Sequence, residues 1–255
     1  MHAILIAFAL FVALPALSAD LTVEQVRDIL ATPGHQGTDA LSGKDLSRLD
    51  LSKRDFRGAN LAGSTLFASK LVQTNFSGAR LSAANLNGAW LMGTDFSGAD
   101  LSRASLMSVV ILGGEINARP IFRNANLSGS RIIAELDGAD LSHANLSRAR
   151  LGVDMKNQGM GQMRTNLTKA NLEEANLSGA DLNRTLLRFA NLKGAILRGA
   201  NLYRADLSGA DLSGADLAGA NLEEANVDRT NFQGARGLDS ARGLDRAEHR
   251  DRALF

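Results

Sequence analysis

The sequence predicts an all-β solenoid, a β-helix whose coils have four sides, and three observations lead to this prediction. A bulky apolar residue occupies every fifth position through most of the chain. Aromatic residues make up only 5% of the 255 residues although apolar residues reach 45%, so leucine and alanine must form the core. Phe56, Phe76 and Phe96 are spaced by four five-residue repeats, which predicts four repeats per coil and a stack of phenylalanine rings.

The five-residue period is clearest from Gly58 to Ser102, which reads GANLA GSTLF ASKLV QTNFS GARLS AANLN GAWLM GTDFS GADLS. On an α-helix, five residues advance by about 500°, so successive leucines would lie about 140° apart and form no apolar face. In a straight strand, alternate leucines would point to opposite faces. A chain that turns a corner every five residues instead points each large residue to one axis, and the glycines suit the turns.

The repeat frame contains about 37 apolar centres, which makes about nine coils. They run from Leu41 to Ile116, from Phe122 to Leu151 and from Leu167 to Phe232.

These residues resemble the pentapeptide-repeat family, whose consensus is A(D/N)LXX. Residues 205–226, ADLSGADLSGADLAGANLEEAN, match that consensus almost throughout, and the resemblance covers about residues 40–236. It implies a right-handed quadrilateral β-helix. A well-known branch of the family protects DNA gyrase from quinolone drugs by mimicking DNA.

Residues 1–19, MHAILIAFALFVALPALSA, are predicted to be a signal peptide. The apolar run from Ala3 to Leu14 is followed by small residues, so cleavage is expected after Ala19 or after Ser18. The alternative is an uncleaved anchor, but the run is shorter than the ~18–20 residues that a spanning helix needs. We therefore expect an exported protein that is periplasmic or extracellular, with no transmembrane segment in the mature chain.

Residues 20–39 are predicted to form an N-terminal capping helix and a linker, because solenoid ends need caps. Thr22 and Gln25 have the spacing of a capping box. The helix would have an apolar stripe of Val23, Val26, Ile29 and Leu30.

The β-helix is predicted to span residues 40–236, and residues 237–255 leave its five-residue frame. For this C-terminal cap or tail we expect Leu238 and Leu244 to cover the last coil, followed by a short charged α-helix. The alternative role for this end of the solenoid is formation of a homodimer.

Two interruptions break the repeat. The spacing is six residues from Ile116 to Phe122 and four from Ile132 to Leu136, and because these slips cancel they predict a local bulge. The second interruption inserts about eleven residues between Leu151 and Leu167, which predicts an outward loop at about residues 152–165.

This predicted loop supplies the candidate partner contacts Met155, Met160, Met163 and Arg164, because methionine surfaces adapt to different partners. Two alternatives remain for the methionines. They could cover a face of the solenoid, or their thioethers could bind Cu(I).

The chemistry of the sequence favours a scaffold over an enzyme. Formal net charge is only +1 and there is no cysteine, so neither a strong field for nucleic acid nor a thiolate site is expected. No cofactor, metal or catalytic motif is present. The aspartates at the polar position of the repeat are interpreted as scaffold; they are Asp100, Asp181, Asp206, Asp211 and Asp216.

A basic cluster near the start of the solenoid is interleaved with acidic residues, which favours a mixed, solvated surface over an anion or membrane site. Its members are Lys44, Arg48, Lys53, Arg54 and Arg57.

The sequence thus predicts an exported, non-catalytic scaffold of the bacterial envelope that binds an unknown protein partner. The alternative function is a gyrase-interacting DNA mimic of the quinolone-resistance type.

Overall fold

Parallel backbone bridges between successive coils define the architecture. The computed structural model describes residues 19–34, 38–111, 119–153 and 164–255. Most bridges join residues 20 apart, as Asp45 does with Thr65 and Asn171 with Asn191. Each regular coil therefore contains four repeats, the number that the phenylalanine spacing predicts.

Regular secondary structure is sparse because the chain turns after almost every bridge. Helix α1 spans Val23–Ala31, strand β1 spans Ser105–Met107, and strand β2 spans Arg131–Ile133 and pairs with β1 in parallel. Two short 3-10 helices span Leu244–Arg246 and Arg250–Arg252. Within the described ranges, no helix is both long and apolar enough to cross a membrane.

Equivalent repeats of successive coils stack in four rows, which we call rows A to D, and the coils are numbered from Leu41. The centres of coil 3 are Leu81 in row A, Leu86 in row B, Leu91 in row C and Phe96 in row D. All four side chains are completely buried.

The repeat combines a turn with a side-chain hydrogen bond. The Ala59 N–H donates to the Phe56 carbonyl over 3.0 Å, and Gly58 has a φ of 65°, as in a type II turn. In the next coil, the Asn75 side-chain oxygen accepts a 2.9 Å hydrogen bond from the Ser77 N–H. This bond recurs along the chain and explains why Asn or Asp precedes the buried centre.

The phenylalanine stack in row D has the predicted geometry. Ring centroids are 4.8 Å apart between Phe56 and Phe76 and 5.2 Å apart between Phe76 and Phe96. The stack continues from Phe96 to Phe122 at 5.1 Å. Phe122 therefore occupies the next position of row D although the sequence leaves the five-residue frame before it.

The first interruption differs from the predicted bulge. Trp90 pairs with Val110, and Asp95, five residues after Trp90, pairs with Ile121. Coil 4 therefore passes directly from Ile111 in row C to Phe122 in row D. The intervening chain contains residues 112–118, so Ile116, which the sequence predicted as a centre of the repeat, lies outside the described residues. The four-residue spacing at Leu136 is a separate irregularity, a shortened repeat in coil 5.

The second interruption contains the predicted insertion but is narrower than 152–165. Glu135 pairs with Asn166, which places the extra residues between row B and row C of coil 6. Gly152 and Val153 are buried, and the buried Thr165 hydroxyl lies 2.8 Å from the Ile132 carbonyl oxygen. These residues belong to the scaffold.

The N-terminal helix lies against the first coils. Thr22 and Gln25 form the reciprocal capping box, Val26 is fully buried, and Ile29 and Leu30 pack against the core. The Asp20 N–H donates to the Asp45 carbonyl over 2.7 Å, and the Asp20 carboxylate accepts from the Asp45 N–H over 2.7 Å. The same two residues therefore close part of the backbone edge of coil 1.

The C-terminal segment forms a tenth coil, so the predicted short charged α-helix was wrong. Its bridging residues are six apart and pair with coil 9; they are Arg236, Arg242, Glu248 and Leu254. An α-helix would need these backbone groups for its own i to i−4 bonds, but here they bond to the preceding coil. Phe255 stacks on Phe232 at 5.4 Å, and Leu254 and Phe255 stay more than half exposed.

A sequence signal for this coil was present. Alanines recur at a spacing of six residues, at Ala235, Ala241, Ala247 and Ala253, and glycine replaces leucine at two of the centres, Gly237 and Gly243. Both glycines have a φ of 72°.

The tenth coil predicts a difference between two glycine substitutions. A Cβ at Gly243 would lie 2.6 Å from the Glu223 Cα, whereas a Cβ at Gly219 would meet nothing within 4 Å; both residues have positive φ. We expect Gly219→Ala to cost about 1 kcal/mol from the left-handed backbone alone. Gly243→Ala should cost about 2–4 kcal/mol because the clash adds to that strain.

Urea unfolding and amide exchange of residues 236–255 measure the difference between the variants. Equal losses in the two variants would contradict the close approach of coils 9 and 10.

Candidate functional site

The aspartate rows are built into the turns and are paired with basic residues. Each of the five aspartates accepts a backbone N–H from two residues further along, over 3.0–3.2 Å. Cations from the preceding coil contact three of them, in the pairs Arg188–Asp206, Lys193–Asp211 and Arg198–Asp216. A sequence signal existed, because each cation precedes its aspartate by 18 residues.

Asp216 is the most sheltered member of these rows, with 5% of the residue exposed. Its carboxylate accepts a 2.6 Å hydrogen bond from the Arg198 Nε and a 3.2 Å bond from the Ala218 N–H. The Arg198 hydrogen bond is the main cause that lowers the pKa of this carboxyl below its usual value of 3.8. Among the described residues, no group of three or more His, Asp or Glu could hold a metal ion.

The basic cluster of the first coil is also partly paired. Arg57 forms a salt bridge of 2.6 Å with Asp55, and Lys70 of the next coil lies 3.8 Å from Asp50. These contacts favour the mixed, solvated surface predicted from the sequence.

Row C opens between coils 4 and 5. Above the opening, the Leu91 N–H donates to the Val110 carbonyl over 3.0 Å, and below it the Leu136 N–H donates to the Asn166 carbonyl over 2.7 Å. Across it, no bridge joins Val110 to Glu135 in the part of the chain that the structure describes. This gap in the bridges lies just before the first insertion and at the shortened repeat of coil 5.

A hollow of about 430 Å³ lies at this opening. Its described lining consists of Ser108, Val109, Ile133, Ala134, Glu135, Arg164 and Leu186. The Glu135 carboxylate accepts a 2.7 Å hydrogen bond from the Asn166 amide, whereas the exposed Arg164 makes no ion pair or hydrogen bond with any described residue. The hollow therefore combines four apolar residues with a cation that has no partner among the described residues.

Of the four predicted contact residues, only Arg164 lies in the described part of the chain, and it lines this hollow. Met155, Met160 and Met163 lie outside the described residues.

Next to the hollow lies an apolar surface that sequence reasoning missed. Trp90 and Val110 pair in row C at the position just before the centre, which is Asn or Asp in most repeats of the chain. The Lys70 Nζ lies 5.9 Å from the Trp90 ring centroid. We define the apolar surface as Phe67, Val72, Trp90, Met92 and Val110. Phe67 is 42% exposed, Met92 is buried and the others are half-buried. The signal was the departure of these positions from the repeat consensus.

Comparisons with known proteins agree with the repeat. The family model described as "Pentapeptide repeats" matches eight copies, within residues 45–111, 134–152 and 165–236. HetL, a pentapeptide repeat protein involved in heterocyst differentiation regulation from the cyanobacterium Nostoc sp. strain PCC 7120, is 34% identical; the alignment covers 92% of this chain and all of HetL, with a TM-score of 0.49.

Two further solved structures are more distant. A pentapeptide repeat protein from the thylakoid lumen of Arabidopsis thaliana is 28% identical over 46% of this chain and 74% of its own, with a TM-score of 0.27. Trypsin-treated QnrB1, a plasmid-mediated fluoroquinolone resistance protein, is 19% identical over 79% of this chain and 89% of its own, with a TM-score of 0.41. No curated protein matches the chain.

The Asp216–Arg198 contact predicts a change in acid sensitivity. Because the folded pKa of Asp216 is lowered, its contribution to stability is present above the unfolded value near 3.8 and is lost as the pH falls through the folded value. Asp216→Asn keeps an acceptor for the Ala218 N–H but loses the ion pair, so it should be about 1 kcal/mol less stable at pH 7. Urea unfolding at pH 7 and pH 3 should show a smaller acid loss in the variant.

Asp216→Asn in an Arg198→Gln background is the matched control, because it should add little further effect on acid sensitivity. Identical acid losses in the wild type and Asp216→Asn would rule out this role of the ion pair.

Proposed function

Because the chain belongs to the pentapeptide-repeat family and its repeat fills its own interior, we propose that it is a non-catalytic scaffold of the bacterial envelope that binds a protein partner. The core supports this proposal: leucines occupy most centres and alanines most of the inward positions two residues earlier, almost all below 2% exposure. Acid–base catalysis needs a sheltered group near a substrate, and the aspartates are instead engaged in turns and ion pairs.

We further propose that the four rows bound a right-handed rod of quadrilateral section. The 20-residue bridges support four sides per coil. Such a rod presents fixed side chains at coil-to-coil spacing, which suits recognition of a partner with little rearrangement.

The observation that carries the partner-binding proposal is the apolar surface. Exposed apolar patches mark interaction sites, and here Phe67 is exposed while Val72, Trp90 and Val110 are half-buried. Trp90 is the only tryptophan of the chain, and tryptophan is enriched among the residues that dominate binding energy. We propose that Met155, Met160, Met163 and Arg164 add contacts from the neighbouring insertion, a role that the place of Arg164 at the hollow supports.

A gyrase-interacting DNA mimic is the weaker proposal. Such mimicry needs an uncompensated row of negative charge that stands in for phosphates. Here basic residues lie against Asp206, Asp211 and Asp216, and the formal net charge is +1.

Export is proposed from the apolar N-terminal segment. Fractionation of a bacterial host that expresses the full chain with a C-terminal tag should place the protein outside the cytoplasm. N-terminal sequencing should then begin at Asp20, or at Ala19 if cleavage follows Ser18. A cytoplasmic protein with its first residues intact would contradict export and would favour the DNA-mimic proposal.

Partner binding predicts a difference between two aromatic substitutions. The tagged protein should retain a partner from the envelope fraction in a constant molar ratio, and Trp90→Ser should lower its retention at least about tenfold, as for a central anchor residue. Tyr203→Ser, in row B of coil 8, is the matched control and should retain it. A chain in which residues 154–163 are replaced by a short Gly-Ser linker tests the methionines.

Absence of any retained partner would overturn the scaffold proposal. Equal retention by the wild type and the linker variant would remove the methionines from the interface.

A further inference from the structure

The gap in the row C bridges leaves part of the coil 4 backbone without a hydrogen-bond partner among the described residues. In coil 3, the Leu91 N–H and the Ala89 carbonyl both bond to Val110 of coil 4. The equivalent groups of coil 4 are the Ile111 N–H and the Val109 carbonyl, and neither has a hydrogen-bond partner among the described residues. Val109 belongs to the hydrophobic core, and a backbone group without a hydrogen-bond partner is costly where water cannot replace that partner.

These two groups have the arrangement that a parallel strand requires. Everywhere else in the regular part of the ladder, one residue of the next coil donates its N–H to the carbonyl equivalent to that of Val109. The carbonyl of the same residue accepts from the N–H equivalent to that of Ile111. An extended peptide that presents one residue in the same way would complete the edge. Addition of a strand to an open sheet edge is a recurring mode of peptide recognition.

The hollow beside the edge suits apolar side chains of such a peptide. Its volume of about 430 Å³ lies within the roughly 300–1,000 Å³ of common ligand sites. Val109, Ile133, Ala134 and Leu186 give it an apolar wall. Alternate side chains of an extended peptide point to the same side, so apolar residues at every second position would face this surface.

The charge at the mouth of the hollow selects an acidic peptide. Arg164 has no described partner, whereas the neighbouring Glu135 is engaged by the Asn166 amide. A guanidinium binds a carboxylate through two parallel hydrogen bonds. The complementary group on the peptide is therefore an Asp or Glu side chain.

We propose that the partner docks an extended acidic segment at this site, with apolar residues at alternate positions and its backbone paired to Val109 and Ile111. The inference rests on the proposed scaffold function and deepens it, because it assigns the site and the chemistry of the partner segment.

The test uses the full chain and a fluorescein-labelled peptide, Val-Thr-Val-Thr-Glu-Thr-Val-Thr, in which the Glu lies on the same face as the Val residues. Fluorescence anisotropy is the readout. Two control peptides carry Lys in place of the Glu, or Pro in place of the Thr before it. The Glu peptide should bind at least about tenfold more tightly than either control, because Lys repels Arg164 and Pro removes a backbone donor. Binding should also slow hydrogen exchange of the Ile111 amide, which should exchange rapidly in the free protein.

Reversing the charge of residue 164 distinguishes a loss of charge recognition from a loss of structure. Arg164→Glu should bind the Lys peptide more tightly than the Glu peptide, reversing the preference. Arg148→Glu, an exposed arginine of row A, should leave the preference unchanged. Thermal unfolding of both variants verifies that the coils are intact.

Three results would overturn the inference: equal affinity for the three peptides, an unchanged preference in Arg164→Glu, or an Ile111 amide already protected in the free protein. The partner-retention experiment distinguishes failure of this peptide site from failure of the proposed scaffold function. A partner that Val110→Asp and Arg164→Glu retain as well as the wild type would preserve the scaffold function and eliminate this site.

Discussion

Backbone hydrogen bonds between coils are the interaction on which the rest of this structure depends. Around Leu81, three successive bonds of 2.7–2.9 Å join coil 3 to its neighbours: Leu81 N–H to Asp100, Arg80 N–H to Ala59 and Ala83 N–H to Ser102. Because these bonds recur in each repeat, the length of every side is fixed. The inward positions then require only a large and a small apolar residue, which is why leucine and alanine suffice for the core.

The hydrogen bonds between coils also explain why many turns hold a non-glycine residue in the left-handed conformation. Lys53, Gln73 and Phe189 have φ values of 56–59°, in the left-handed region that usually favours glycine. The surrounding coil bonds compensate for this cost, as expected where structure over-determines a strained residue. Glycine is required for space only where coils approach closely, as at Gly243, or where a ring covers the turn, as Phe189 covers Gly209.

Much of the scaffold could be predicted from the sequence because its spacing is set by these bonds. The four-repeat coil, the stack of Phe56, Phe76 and Phe96 and the insertion after Leu151 all follow from counting. Counting failed at the first interruption, because Asp95 pairs with Ile121 and row D of coil 4 is therefore reached only eleven residues after Ile111. It failed again after residue 236, where the period changes to six and Gly237 and Gly243 occupy centres. A search for leucine at every fifth position does not detect such a coil.

The candidate site was less predictable because it is formed by residues that depart from the repeat consensus. A repeat whose aspartates serve its turns and ion pairs has few groups left for recognition, so specificity must come from departures from the consensus. Trp90 and Val110 are such departures, and Arg164 follows an insertion. Each of these three departures is visible in the sequence, but their proximity is not. The bridges of row C place them around the same opening, where the Ile111 N–H and the Val109 carbonyl have no partner among the described residues. In a solenoid held together by pairing between coils, an unpaired edge is the feature that a partner strand can recognise.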